Sequence, residues 1–212
     1  MKTDQLIDSL VADQDRKPLR AGHGILYALP PAIILSMMIF AYFLDMRPDL
    51  ADALATWRYL LKVLMAALIA VTATVFVLHL ANPLHAPRAA FRFLPLLALP
   101  LLAGFAAEGS LLAREQWATA ALGQQPYFCL IFVPLLSLAP LVATLWAIGR
   151  GAPQSPLAGG AAAGLAAGGI GALIFAIHCD NDSPFYVAIW YLGAIAIVTL
   201  LGALIGRRYL RW

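Results

Sequence analysis

The chain has 212 residues, of which 62% are hydrophobic and only 12% charged, with a formal net charge of +3. That balance lies outside the range of soluble globular domains, so the bilayer is the expected solvent. A small positive charge spread through an apolar chain excludes a basic nucleic-acid-binding surface as its organising feature, and no direct nucleic-acid partner is expected.

Residues 1–22 form a polar opening. Within it Leu6, Ile7, Leu10 and Val11 recur at helical spacing, Asp4, Asp8, Asp13 and Asp15 fall on other faces, and Thr3 or Asp4 can cap the start. A helix this short is marginal alone in water, so its apolar stripe is expected to lie on the membrane surface or dock in a groove on a partner. Surface-binding helices carry basic polar faces. This one is acidic until Arg16, which favours the partner.

Six apolar segments follow, at about 24–44, 60–81, 93–113, 127–148, 157–178 and 185–206. Each reaches the roughly 20 residues that a spanning helix needs. The first is read as a retained span, because a long polar stretch rather than a short basic region precedes it and it runs to about 21 residues. Pro30, Pro31, Pro95, Pro100, Pro134 and Pro140 fall in these runs and predict kinked helices packed on one another. In the fifth run Gly160, Gly164 and Gly168 recur every fourth residue, a spacing that lets helix backbones approach closely. The expected fold is all-α: a polytopic membrane protein with a six-helix transmembrane domain at 23–206, a short amphipathic cytoplasmic N-terminal helix and a basic tail at 207–212.

With six spans both termini share one side of the membrane. That side would hold Lys2, Arg16, Lys17, Arg20, Arg88, Arg92, Arg150, Arg207, Arg208 and Arg211, against Arg47, Arg58, Lys62 and Arg114 on the other. Cytoplasmic loops retain basic residues, so both termini are expected in the cytoplasm of a bacterial inner-membrane protein.

The stretch HCDNDSPFYVAIWY, His178 to Tyr191, interrupts this apolar pattern with a cluster of polar groups. The two cysteines of the chain, Cys129 at the start of the fourth span and Cys179 at the end of the fifth, fall at one membrane depth on the non-cytoplasmic side. A disulfide would need their Cα atoms within about 7 Å, in a compartment oxidising enough to keep it; the alternative is two small buried hydrophobes. His178, Asp180 and Asp182 flank Cys179, and Glu108, the one acid inside an expected span, lies at similar depth. Glu108 is expected either to find a partner inside the bundle or to reach the interface. Cys129, Cys179 and His178 are a ligand set suited to a soft ion such as Zn or Cd, although no CxxC or HxxxH spacing marks a prebuilt site and no cofactor is required.

The opening MKTDQLIDSLVAD, the HCDNDSPFYVAIWY stretch, the spacing of the cysteines and the number of spans together resemble the NrsF-type membrane anti-sigma factors, over essentially the whole chain. The resemblance implies a negative regulator without enzymatic activity, whose N-terminal segment holds an extracytoplasmic-function (ECF) sigma factor at the membrane. It also implies that Cys129 and Cys179 respond to heavy-metal or oxidative stress. An acidic helix near residues 3–20 would suit the basic surfaces of such a partner. The alternative functions are a small transporter and a thiol-oxidising membrane enzyme. A transporter would show more polar groups at mid-membrane and an inverted repeat, and the enzyme would carry two cysteine pairs where this chain has one.

Overall fold

The computed structural model describes residues 21–81, 94–151, 153 and 155–211. The expected N-terminal helix with Leu6, Ile7, Leu10 and Val11 lies outside the described residues, as do Arg88 and Arg92. All regular structure among the described residues is helical. Six long helices carry the fold: α1 (Ala21–Phe43), α2 (Trp57–Leu80), α3 (Leu94–Leu111), α4 (Pro126–Ile148), α5 (Pro156–Phe175) and α6 (Pro184–Tyr209). Each occupies an expected apolar segment, with ends displaced by about three residues at most.

The helix starts have local causes. Thr56 and Ser155 cap α2 and α5 by accepting from the backbone N–H groups of Tyr59 and Ala158. Proline opens α4, α5 and α6, where its missing N–H costs nothing.

Five helices, α1, α2, α4, α5 and α6, are long and apolar enough to cross a bilayer. The expectation of six is met only in part. In α3 the fully described apolar stretch is Ala98–Leu111, shorter than a span, and Pro100 interrupts it.

α5 is the centre of the bundle and packs against α6, α4, α2 and α1. It can do so because it is almost bare of side chains. A Cβ on Gly160 would strike the Gly202 carbonyl oxygen, and one on Gly164 would lie 2.5 Å from the Val198 oxygen, so these glycines let α5 and α6 touch backbone to backbone.

Inside α4, Pro140 has no N–H for the carbonyl of Leu136 one turn earlier. The Ser36 hydroxyl of α1 donates to that carbonyl at 2.7 Å, so the break in one helix is repaired by its neighbour. Facing outward are Leu26, Val142, Leu200 and many other large apolar side chains. A monomer in water rarely shows such a belt, and hydrocarbon accommodates it.

Candidate functional site

Polar groups gather at one end of the bundle. The α1–α2 connection brings Asp45, Arg47 and Asp49, and the start of α2 brings Arg58, Tyr59 and Lys62. The end of α3 brings Glu108, α4 begins with Cys129, and His178 to Asp182 form the α5–α6 connection. α5 stops at Phe175, so Cys179 lies in that connection and not on the helix where it was expected.

Two cations are buried here. Arg47, 6% exposed, grips Asp49 through Nε and Nη2 at 2.8 and 2.7 Å. Its Nη1 donates to both carboxylate oxygens of Asp182, at 3.0 and 2.9 Å, and to the Cys179 carbonyl at 3.1 Å. This bonding raises the guanidinium pKa further, Asp49 first and Asp182 after, against the opposing effect of burial. The same contact holds the Asp49 carboxyl at about 2. Lys62, 1% exposed, donates to the Cys179 carbonyl at 2.7 Å and the Asn181 carbonyl at 3.3 Å, and pairs with Asp182. Its ammonium also lies over the rings of Tyr59 and Tyr191, 5.2 and 5.7 Å from their centroids. The 179–182 segment is thus wrapped around two positive charges that would be costly to bury unpaired.

The cysteines meet beside this clamp. Cys129 is 0% and Cys179 6% exposed, both are free thiols of one buried cluster, and the Cys179 thiol donates to the Asn181 carbonyl at 3.8 Å. The neighbouring Cys129 thiol, and after it the Lys62 ammonium, hold the Cys179 thiol below its ordinary value although burial works in the other direction. Cys129 Sγ is 3.0 Å from the Tyr186 hydroxyl, which itself donates to the Gln125 carbonyl at 3.4 Å. The Tyr191 hydroxyl is buried beside Cys179 with no well-directed hydrogen bond.

Tyr186 and Tyr191 are five residues apart, about 140° around an ordinary α-helix. Residues Val187–Tyr191 form a π turn, whose i→i+5 bonding brings both tyrosines to the thiol pair.

A cleft of about 300 Å³ opens onto this site, lined by Arg47, Gln125, Phe128, His178, Cys179 and Tyr186 among others. Just before the lining residue Gln124 stands Gly123, in the left-handed region at φ 61°, where any Cβ would run into the Tyr186 ring.

The expected neighbours divide. Asp182 joins the clamp. Asp180 is exposed and accepts from Asn181 Nδ2 at 3.3 Å. Glu108, 1% exposed, pairs with Arg58 Nε at 2.9 Å and so has the partner that its burial demands. His178 Nδ1 is engaged by the Asp45 carbonyl at 2.7 Å. The set of Cys129, Cys179 and His178 is therefore not assembled as metal ligands, and no group of three or more His, Cys, Asp or Glu among the described residues is placed to hold an ion.

The sequence reading missed the roles of Arg47, Lys62, Tyr186 and Tyr191. Lys62 had a signal, since it is a charge within an apolar run flanked by Leu60, Leu61, Val63 and Leu64. The tyrosines had none, because the π turn defeats helical periodicity.

The comparisons with known proteins bear on what this arrangement serves. The family model for NrsF, negative regulator of sigma F, matches residues 10–212. The anti-sigma-F factor NrsF of Caulobacter vibrioides (strain NA1000 / CB15N) is 27% identical, with all of both chains covered. The probable anti-sigma-F factor NrsF of Azospira oryzae (strain ATCC BAA-33 / DSM 13638 / PS) is 29% identical, again over the full length of both. No solved structure matches. With a family match over nearly its whole length, this helical chain belongs to the NrsF family of negative regulators of sigma F, and is a regulatory protein rather than an enzyme.

Proposed function

We propose that this chain is a six-span inner-membrane anti-sigma factor that holds an ECF sigma factor through residues near 3–20 and releases it when Cys129 and Cys179 react to oxidative or heavy-metal stress. The observation that carries the reading is the separation of two ends. α1 delivers Arg47 to the thiol site from its C-terminal end, so Ala21 opens about 35 Å away, across a helix of 23 residues. A segment preceding Ala21 would therefore meet its partner on the far side of the bundle from the thiols.

Several features support six spans with both termini cytoplasmic. Glu108 near the end of α3 pairs with Arg58 at the start of α2, so α3 runs back toward the end that α2 leaves. The thiol end would then face the periplasm, and Arg207, Arg208 and Arg211 the cytoplasm. A soft ion such as Cd would have to bind the two thiolates and recruit other donors by rearrangement.

Co-purification of the detergent-solubilised protein with its sigma factor tests the reading. Leu6→Asp with Leu10→Asp should abolish recovery of the sigma factor and leave membrane insertion intact. Undiminished recovery, or equal recovery by a chain lacking residues 1–20, refutes the N-terminal site. A reporter active only in the periplasm should be silent after Trp212 and active near Asp52.

A further inference from the structure

The two cysteines share one buried cluster but stand in different surroundings. Cys179 lines the cleft; Cys129 does not, and is fully enclosed. The backbone of Cys179 is pinned by two cations on its carbonyl, Lys62 at 2.7 Å and Arg47 at 3.1 Å, so its sulfur is held at the cleft wall. Lys62 also favours a thiolate there. Around Cys129 the order of bonds is different. The Cys129 sulfur lies 3.0 Å from the Tyr186 hydroxyl, which also reaches the Gln125 carbonyl at 3.4 Å.

We infer that the pair is divided by role: a hydroperoxide entering the cleft is attacked by Cys179 Sγ, and Cys129 Sγ, sealed behind it, resolves the product into a disulfide. This rests on the reading of the pair as a sensor of oxidative stress and assigns that sensor its first reacting atom and substrate class.

In the first step the Cys179 thiolate attacks the terminal peroxide oxygen. The S–O bond forms, the O–O bond breaks, and the alkoxide or hydroxide released takes up a proton, so that sulfur is oxidised to sulfenic acid and the peroxide reduced to alcohol or water. In the second step Cys129 Sγ, giving up its proton, attacks the Cys179 sulfur. The S–S bond forms, the S–O bond breaks, and the departing hydroxide leaves with that proton as water. Two thiols and one hydroperoxide thus give one disulfide, one alcohol or water, and one further water. Lys62 and Arg47 act as positioning residues, holding the attacked residue in place while its side chain changes partner.

The test uses the full-length protein in detergent with hydrogen peroxide, and dimedone to trap sulfenic acid. Cys129→Ser should accumulate a dimedone adduct at Cys179. Cys179→Ser should label at Cys129 at least tenfold more slowly. The unsubstituted protein should form the intramolecular disulfide, and under limiting N-ethylmaleimide without peroxide it should be alkylated at Cys179 first, a readout free of any folding effect of the substitutions. Equal labelling at the two positions, or Cys129 reacting first, overturns the assignment while leaving a paired sensor intact. Oxidation in the expected order with the sigma factor still bound overturns the sensor reading alone. Thiols that stay unmodified in peroxide overturn both.

Discussion

Asp182 is the carboxylate that two buried cations share, which makes it the most informative single residue to neutralise. Arg47 Nη1 reaches both of its oxygens and Lys62 reaches Oδ1. Asp182→Asn keeps the shape and removes the charge. Arg47 then retains Asp49, a half-exposed partner, whereas Lys62 retains the carbonyls of Cys179 and Asn181 and the rings of Tyr59 and Tyr191 but no carboxylate. Breaking a buried ion pair by removing one partner costs about 3–5 kcal/mol. The asparagine oxygen still accepts and one cation keeps a carboxylate, so the loss belongs at the low end, about 3 kcal/mol. For a chain of this size that corresponds to roughly 6–12 °C in the unfolding midpoint. Thermal unfolding of the detergent-solubilised protein at one fixed scan rate, followed by reaction of the buried thiols with a fluorogenic maleimide, measures it. Adding Lys62→Met removes the stranded charge, so the double substitution should be less damaging than the sum of the singles by at least about 1.5 kcal/mol. A loss below about 1 kcal/mol for Asp182→Asn, or additivity within about 0.5 kcal/mol, would show that water already neutralises the cluster and refute the clamp.

Gly164→Ala should cost about 1–3 kcal/mol in the same assay, because its Cβ lands 2.5 Å from the Val198 oxygen; Gly193→Ala, whose nearest neighbour would be 3.9 Å away, should be neutral. Ser36→Ala should cost about 1 kcal/mol by leaving the Leu136 carbonyl unpaired. Pro140→Ala in that background should recover most of it, since residue 140 regains the N–H that Ser36 replaces; no recovery would mean the hydroxyl matters for another reason. The rate of Cys179 alkylation by iodoacetamide should rise with pH through a midpoint below that of an ordinary thiol, because the thiolate is present above that midpoint and lost below it. With Lys62→Met the midpoint should move upward, as one of the charges favouring the thiolate is gone, even with Cys129, Tyr186, Tyr191 and Asp180 around the pair unchanged.

The helices were legible because apolar length is a direct reading of the solvent they need, and the prolines at 126, 156 and 184 sharpen three of their starts. The meeting of Cys129 with Cys179 was legible for a topological reason: helices that leave and return share an end, so residues at a start and a finish come level. The expected metal set of Cys129, Cys179 and His178 is not gathered among the described residues. Closeness in sequence put His178 next to Cys179, but consecutive residues diverge, and the ring turned to the Asp45 carbonyl. Lys62 was overlooked because basic residues were read for orientation only, while acids in spans were asked for partners.

The glycine contact between α5 and α6 also limits how the protein can change over evolutionary time. Gly160 and Gly164 meet backbone atoms of α6 rather than side chains, so neither helix has a side chain there to trim in compensation for a larger neighbour. Accepted substitutions must collect elsewhere, above all on the outward faces of α1 and α6, where Leu26 or Leu200 can be exchanged for any residue that lipid tolerates. Relatives that are 27% and 29% identical over both full lengths leave ample room for such exchange.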